Sequence, residues 1–345
     1  MGVNMALKTR AVLVGCGGIS NAWLSSLQKM PSVEIVGLVD VRLQAALDKK
    51  SGYKLSRAEV GDDLRSMLRL TKPEVVFDCT LPGSHMSVTL EALRHGCHVL
   101  GEKPLSDSMP NARRMVAAAR KAGKIYTVIQ NRRYNLCARG FHQFLHSGRI
   151  GHLTTLFSDF FIGAHFGGFR DTMQHVLLLD MAIHTFDAAR FIAGADPLAV
   201  YCHEWNPRGS WYRHDASALA VFEMTNGVVY TYRGSWCSEG LNTSWESTWR
   251  ANGTKGSATW DGADLFRAQA VAKRGGFSCQ LKDLTIKVPK TGKQGGHNGN
   301  IAEFVRCVRR GGTPETICTD NIKSLAMVFG AIESAQTGCK VKIRS

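Results

Sequence analysis

Three side chains in this sequence have types and settings suited to moving a proton: Lys103, Asp180 and His184. Lys103 stands in Leu100-Gly101-Glu102-Lys103-Pro104-Leu105, directly after the apolar run His98-Val99-Leu100. In an open parallel sheet, ligands gather at the carboxyl ends of the strands, and Lys103 would occupy such an end. An ammonium there holds a hydroxyl or passes a proton once burial or a neighbouring charge tunes it. Taken alone, the same residues describe a surface Glu-Lys pair before a turn proline, because most lysines are solvated. Asp180 and His184 lie in the stretch from Leu177 to Asp187. Four residues apart, they share one helix face. Burying an acid and an imidazole costs free energy unless they are paired or used, and an Asp–His pair locking the helix is the structural alternative. Asp187 and Arg190, three apart, read as a structural or interface salt bridge. A Lys, an Asp and a His around a nicotinamide suit alcohol oxidation. The nicotinamide would accept hydride and His184, of a residue type whose ordinary pKa is near neutrality, would take the hydroxyl proton. Lys103 orients the hydroxyl and shares the proton, while Asp180 holds a neighbouring hydroxyl and tunes Lys103.

A cofactor loop precedes these groups. Ala11-Val12-Leu13-Val14 reads as a buried strand, and Gly15-Cys16-Gly17-Gly18-Ile19-Ser20 follows at once. A helical pattern then runs from about Ile19 to Lys29. This is a G-x-G-x-x-S version of the dinucleotide fingerprint in its confirming strand–helix context. The first glycine makes the turn, the second lets the backbone approach a pyrophosphate, and the helix N-terminus faces the negative charge. Ser20 replaces the usual third Gly or Ala but is small. Asp40 ends the next strand, Glu34 to Asp40. An acid there binds ribose hydroxyls and repels a 2′-phosphate, which favours NAD over NADP. Arg42 is placed to pair with a 2′-phosphate instead, and a helix N-cap is the structural alternative for Asp40.

Alternating strands and helices position these residues. Helices are expected from Asp62 to Leu70, from His85 to about His95, and from Met109 to Ala122. Strands are expected at Glu74–Thr80, Cys97–Leu100 and Ile125–Gln130. Such alternation argues for a doubly wound parallel sheet, and residues 1–131 are assigned to it. The pattern then changes. After a helix from Leu136 to Ser147 come strand-like runs at Leu153–Ile162, Leu198–Glu204, Ala216–Met224, Val228–Ser235, Thr248–Asn252 and Ser257–Asp261. Asn226-Gly227 supplies a tight hairpin. One helix, Leu177 to Ala193, interrupts them, and two more close the chain, about Asn298–Arg310 and Thr319–Gly338. The Gly- and Lys-rich loop Lys290–Gly299 is expected to be mobile. Residues 132–345 thus read as an α+β domain with an open, mainly antiparallel sheet, and the closing helices are free to pack back on the first domain.

Composition narrows the function classes. The 345 residues are enough for two sizeable cores. The net charge of +15 comes from basic residues scattered in pairs, such as Arg113-Arg114 and Arg132-Arg133. Without a basic run and interleaved aromatics, nucleic-acid binding is not expected; a basic surface steering an anionic ligand is. The ten cysteines include no C-x-x-C pair and the histidines no H-E-x-x-H, so no metal is expected. Reduced, buried thiols in a cytoplasmic protein account for them. No apolar run has the length of a membrane span and Met1 to Arg10 lacks a signal-peptide core.

With these residues in place, the chain resembles the Gfo/Idh/MocA family (glucose-fructose oxidoreductase, inositol 2-dehydrogenase and relatives) over nearly its whole length. The marks are Gly15-x-Gly17, Asp40, Thr80-x-Pro82 with His85, Glu102-Lys103-Pro104, Asp180-x-x-x-His184 and the closing stretch from Ile301 to Val341. The resemblance implies a Rossmann domain, a C-terminal open sheet and a substrate cleft between the domains. It implies Lys103, Asp180 and His184 as the catalytic group, often a cis bond at Lys103-Pro104, and homodimers or homotetramers built through the sheets. Cofactor contacts are expected from Gly15, Cys16, Gly17, Gly18, Ile19, Ser20, Asp40, Val41, Arg42, Thr80, Leu81, Pro82, His85, Glu102 and Lys103. Substrate contacts are expected from the catalytic group and from Arg133, Asp159, His165, His175 and His297. Many members carry glycines just before the Asp-x-x-x-His helix. Here Gln174-His175-Val176 stand there, placing His175 close to the substrate and removing a simple transfer of inositol or glucose specificity. The expected activity is NAD-dependent oxidation of a secondary hydroxyl of a sugar, sugar derivative or cyclitol. The rivals are an NAD-dependent glycosidase working by transient oxidation, and a non-catalytic NAD(P)-binding sensor.

Overall fold

The computed structural model describes residues 8–290, 292–293 and 295–345. The first part of the chain alternates strand and helix: β1 (Thr9–Val14), α1 (Ser20–Leu27), β2 (Val33–Val39), α2 (Leu43–Gly52), β3 (Glu59–Gly61), α3 (Leu64–Thr71), β4 (Val75–Asp78), α4 (Pro82–Arg94), β5 (His98–Gly101), α5 (Met109–Ala122) and β6 (Tyr126–Val128). The strands form a six-stranded parallel sheet in the order β3-β2-β1-β4-β5-β6. The order reverses between β1 and β4, the switch point at which such sheets open a ligand crevice. All four side chains of β4 are buried, as a strand covered on both faces requires. Helix ends follow local chemistry. Asp63, not Asp62, caps α3 by accepting the Ser66 N–H at 2.8 Å, and Gly123, at φ +62°, ends α5. Helix α4 begins at Pro82 rather than His85, because proline suits the first turn of a helix.

The later part holds α6 (Leu136–Leu145), β7 (Leu153–Phe161), a π-helical turn (Leu177–Ala182) running into α7 (Ile183–Ala193), and β8 (Pro197–Trp205), β9 (Ser217–Met224), β10 (Val229–Ser235), β11 (Thr248–Gly253), β12 (Gly256–Trp260), β13 (Phe266–Lys273) and β14 (Gln280–Asp283). It ends with α8 (His297–Arg310), α9 (Cys318–Thr337) and β15 (Val341–Lys342). Nine strands pair in the order β14-β13-β12-β11-β7-β10-β9-β8-β15. Every pairing is antiparallel except β7 with β10. Buried and open positions alternate along β7, with Leu156, Ser158 and Phe160 on the buried face. Phe186 of α7 packs edge-on against Phe222, Tyr230 and Tyr232 of that sheet. The β9–β10 turn takes three residues, Thr225 to Gly227. Met224 N–H bonds the Val228 carbonyl at 3.0 Å and only Gly227 has positive φ, so this is not the two-residue form.

The chain divides into two compact units, residues 8–131 with 293–322, and residues 132–292 with 323–345. The segment 293–322 joins the first unit because α8 supplies its core: Ile301, Phe304 and Val305 are buried with Trp23 and Phe77, and the Phe77 and Phe304 rings lie 6.1 Å apart. Strands β3, β13, β14 and β15 were not legible beforehand. Strand β3 has three residues, β14 is exposed throughout, and the buried positions of β13 are alanines, which carry little strand signal. Thr291 and Gln294, in the loop expected to be mobile, lie outside the described residues. Among the described residues no helix is long and apolar enough to cross a membrane, and no group of three or more His, Cys, Asp or Glu is placed to hold a metal. The ten cysteines are free, six of them buried (Cys16, Cys79, Cys97, Cys202, Cys307, Cys318).

Candidate active site

In the first unit the glycine loop is built from backbone constraints. Gly15 sits at φ +88°, and a Cβ there would lie 2.6 Å from the Cys79 carbonyl carbon, so no side chain is tolerated. A Cβ on Gly17 or Gly18 would meet nothing within 4 Å, which leaves an open cradle over the loop. Buried Ser20 donates its Oγ hydrogen to the Gly17 carbonyl at 2.6 Å and so fits the third position of the fingerprint. Asp40 does not cap α2. Its Oδ2 accepts the Cys16 N–H at 2.7 Å and its Oδ1 the Arg42 N–H at 2.8 Å. Each oxygen keeps a further acceptor direction for ribose hydroxyls. Burial, reinforced by Asp40, pushes the Cys16 thiol up to about 12, so it stays protonated. Val41 and Leu81, at the ends of β2 and β4, are 90% and 65% exposed. Such bare apolar side chains beside a phosphate-binding loop suit the flat faces of an adenine. These residues fit a dinucleotide.

Thr80 and Pro82 follow β4 at the same edge. His85, expected as a cofactor contact, is instead buried as a brace. Its ring nitrogens lie 2.9 Å from the Pro104 carbonyl oxygen and 3.0 Å from that of Thr80. Asp78 Oδ1 accepts from Thr80 N–H and Oγ–H at 3.0 and 2.6 Å. Burial pushes the Asp78 carboxyl up, against the opposing pull of His85 and the Thr80 bonds. Lys103 follows β5, is half-buried, and forms a cis peptide with Pro104. Glu102 is buried and engaged by protein: Trp23 Nε1 donates at 2.6 Å, His297 Nε2 lies 3.7 Å away, and Lys103 N–H donates at 3.2 Å. His297 therefore opens α8 as a partner of Glu102, with its ring edge-on to Trp23.

This arrangement makes a pH prediction. Burial raises the Glu102 carboxyl, but His297 and the Trp23 N–H outweigh it and hold the group below its usual value. A depressed folded-state value stabilises above the unfolded value and is lost as pH falls through the folded one. Stability should fall below about pH 4.5 as Glu102 takes up a proton. Glu102→Gln should flatten that limb, seen as a smaller Tm difference between pH 5 and pH 3; an unchanged difference would remove Glu102 as its source.

In the second unit, Asp180 lies in the π-helical turn and half-buried His184 opens α7. Such turns interrupt α-helices frequently at functional sites. Asp180 Oδ2 accepts from Arg170 Nε at 2.6 Å. Arg170 was absent from the sequence expectations, since a loop arginine ten residues before the acid carries no periodic signal. The remaining substrate candidates are dispersed. Arg133 is buried in a two-bond pair with Asp187, Nε and Nη2 each 2.7 Å from a carboxylate oxygen. The expected Asp187–Arg190 pair is correspondingly loose, 3.9 Å, and Arg190 turns to Asp196 at 2.6 Å. Arg132 spends its guanidinium on Thr185 Oγ1 and the Trp245 carbonyl, tying that loop to α7.

Asp159 lies on the strand face opposite the helices, in a two-bond pair with Arg233 at 2.7 Å. It lines a hollow of about 380 Å³ with Arg250 and Arg267. His165 pairs with Glu239 at 2.9 Å and stacks on Trp211. His175, at φ +53°, bonds Glu204 at 2.6 Å and lies 3.3 Å from Gln336 Nε2. The Glu204 carboxylate holds His175 above its usual value, while burial pushes Glu204 up against that pull.

Comparison with known proteins agrees with this architecture. Residues 9–130 match the family model described as an oxidoreductase family, NAD-binding Rossmann fold, and residues 139–259 match the GFO/IDH/MocA C-terminal domain. The chain is 26% identical over 358 residues to a D-glucoside 3-dehydrogenase of Escherichia coli (strain K12), covering 97% of each. It is 23% identical over 341 residues to a 1,5-anhydro-D-fructose reductase of Ensifer adhaerens, covering 96% of this chain and 98% of the relative. An oxidoreductase from Agrobacterium radiobacter, solved in complex with NAD+, L-tartaric acid and magnesium, superposes with a TM-score of 0.84 at 19% identity, covering 97% of this chain and 98% of that one; it shares the fold. With both domain models matched in order and the dinucleotide loop intact, the chain belongs to the Gfo/Idh/MocA oxidoreductases and carries their NAD-binding Rossmann domain.

Proposed function

We propose that the protein is an NAD-dependent dehydrogenase that oxidises a secondary hydroxyl of a sugar, sugar derivative or cyclitol. The observation that carries this reading is the first unit's sheet edge. It presents an open glycine cradle and the Asp40 carboxylate at the ends of β1 and β2, with half-buried Lys103 at the end of β5. The relatives named for D-glucoside and anhydrofructose chemistry support the substrate class. Bound nicotinamide supplies the hydride acceptor. The ammonium of Lys103 holds the reacting hydroxyl and steadies its oxygen as negative charge develops. The His184 imidazole takes the hydroxyl proton. The Asp180 carboxylate accepts a hydrogen bond from a neighbouring hydroxyl and fixes the ring's orientation. What joins Lys103 to Asp180 and His184 is the family motif. Asp40 selects NAD by accepting both ribose hydroxyls and repelling a 2′-phosphate. The reading extends to assembly as a homodimer or homotetramer through the open sheet face, and to the cytoplasm as the compartment that keeps ten thiols reduced.

The test is NADH absorbance at 340 nm with purified protein and a panel of sugars, cyclitols, sugar acids and anhydrosugars, each with NAD and with NADP. Net NADH from one structural group, with NAD preferred, is the expected result. Tight NAD binding without net NADH, accompanied by release of the aglycone from a glycoside, would replace this reading with the glycosidase.

A further inference from the structure

The segment 162–176 leaves the C-terminal end of β7 and leads into the π-helical turn that carries Asp180. The loops 206–216 and 236–247 leave the same end of the sheet, as the pairing of β7 with β10 and of β9 with β8 and β10 requires. Arg170 sits in this loop cluster. Its Nε donates to Asp180 at 2.6 Å, and its Cζ lies over the rings of Phe166 and Phe169, at 4.9 and 4.7 Å from their centroids. Phe166 is set edge-on to Trp236 at 5.4 Å. The two phenylalanines remain 47% and 55% exposed and the Arg170 side chain 29%. Among the described residues, Nη1 and Nη2 of Arg170 have no hydrogen-bond partner.

A guanidinium is planar and carries five N–H donors in fixed directions. Asp180 takes the Nε side and so fixes the plane; the Nη1–Nη2 edge is left open. Two donors spaced along one edge match the two oxygens of a carboxylate, a geometry that single hydroxyls of a neutral polyol do not offer. Packing over two aromatic rings strips water from the guanidinium and strengthens its attraction for an anion. The exposed faces of Phe166 and Phe169 offer apolar surface to the C–H side of a sugar ring.

We infer that Arg170 is a specificity-determining residue: it selects a sugar acid, seating the carboxylate on its Nη1–Nη2 edge, over the neutral sugar of the same configuration. This rests on the proposed function, in which Asp180 contacts the substrate. The experiment compares matched pairs, D-glucuronate with D-glucose and D-galacturonate with D-galactose, as free sugars and as methyl glycosides. Initial rates of NADH formation are recorded, and binding to NAD-loaded protein is measured by calorimetry. Wild type should favour the acid of the productive pair by about 10–100-fold in kcat/KM, the worth of a charge-assisted bond. Arg170→Gln should collapse that ratio, chiefly through KM for the acid, and Arg170→Lys should restore part of it. Equal use of acid and neutral sugar by wild type would overturn the inference. So would an Arg170→Gln variant that loses both members of a pair equally, which leaves Arg170 as a brace for Asp180 alone. Uronate binding that depends on Arg170, without any NADH, would uphold the carboxylate site and remove the dehydrogenase.

Discussion

Lys103→Met is expected to lower kcat/KM for the oxidised sugar by about 10²–10⁴-fold, the usual worth of a positioned proton-transfer group. NAD should still bind, because the glycine loop and Asp40 lie on other strands of the sheet. Methionine keeps an unbranched apolar stem out to the Cε position and removes the ammonium. The loss therefore reports the charge at the end of β5 and not the packing there. Rates come from NADH formation, and cofactor affinity from quenching of tryptophan fluorescence. A variant that turns over like wild type would take Lys103 out of the chemistry. Equal loss of turnover and NAD affinity would make it a cofactor ligand instead. His184→Ala serves as the control on the proton step: addition of imidazole should restore part of its rate if the ring acts as a base.

The second large effect concerns stability. Asp187→Ala should destabilise the protein by about 3–5 kcal/mol, the cost of breaking a buried ion pair by removing one partner. Asp187 is completely buried and receives two bonds from Arg133, one from Ser324 Oγ at 2.7 Å, and the more distant charge of Arg190. Without it the buried Arg133 loses the carboxylate that takes its Nε and Nη2 hydrogens, and the α7 packing must admit water or move. Urea unfolding in the absence of NAD measures the difference. The double variant Arg133→Met, Asp187→Leu should recover most of the loss, because apolar groups of similar volume often replace such a pair at little cost. A drop below about 1 kcal/mol in Asp187→Ala, the range of exposed pairs, would show that the pair is no structural anchor.

That pair also marks the limit of reading a site from sequence. Arg133 and Asp159 were candidate substrate contacts beyond the catalytic group. Each turned out to be paired within its own unit, Arg133 with Asp187 and Asp159 with Arg233. In each case the partner stands 54 or 74 residues away, and nothing along the chain says whether it is another side chain or a ligand. Arg170 shows the converse: it lacked any pattern, yet it touches Asp180.

What the sequence determined by itself rests on properties of short stretches. Apolar runs of four to seven residues between helical periods specify the parallel sheet, because strand and helix patterns repeat every two and every 3.6 residues. Gly15 and Asp40 stand out in the sequence because a tight strand-to-helix turn and a strand end restrict which residue types fit. The closing helix α8 was also visible as a helix. That it completes the core beside Trp23 and Phe77 was decided by tertiary structure, as were the π-helical turn under Asp180, the bracing of His85 between two carbonyls, and the pairing of His297 with Glu102. Each of these depends on distances across elements, which are set by how the apolar faces pack. Periodicity along one element records which face it buries and is silent about which neighbour covers it.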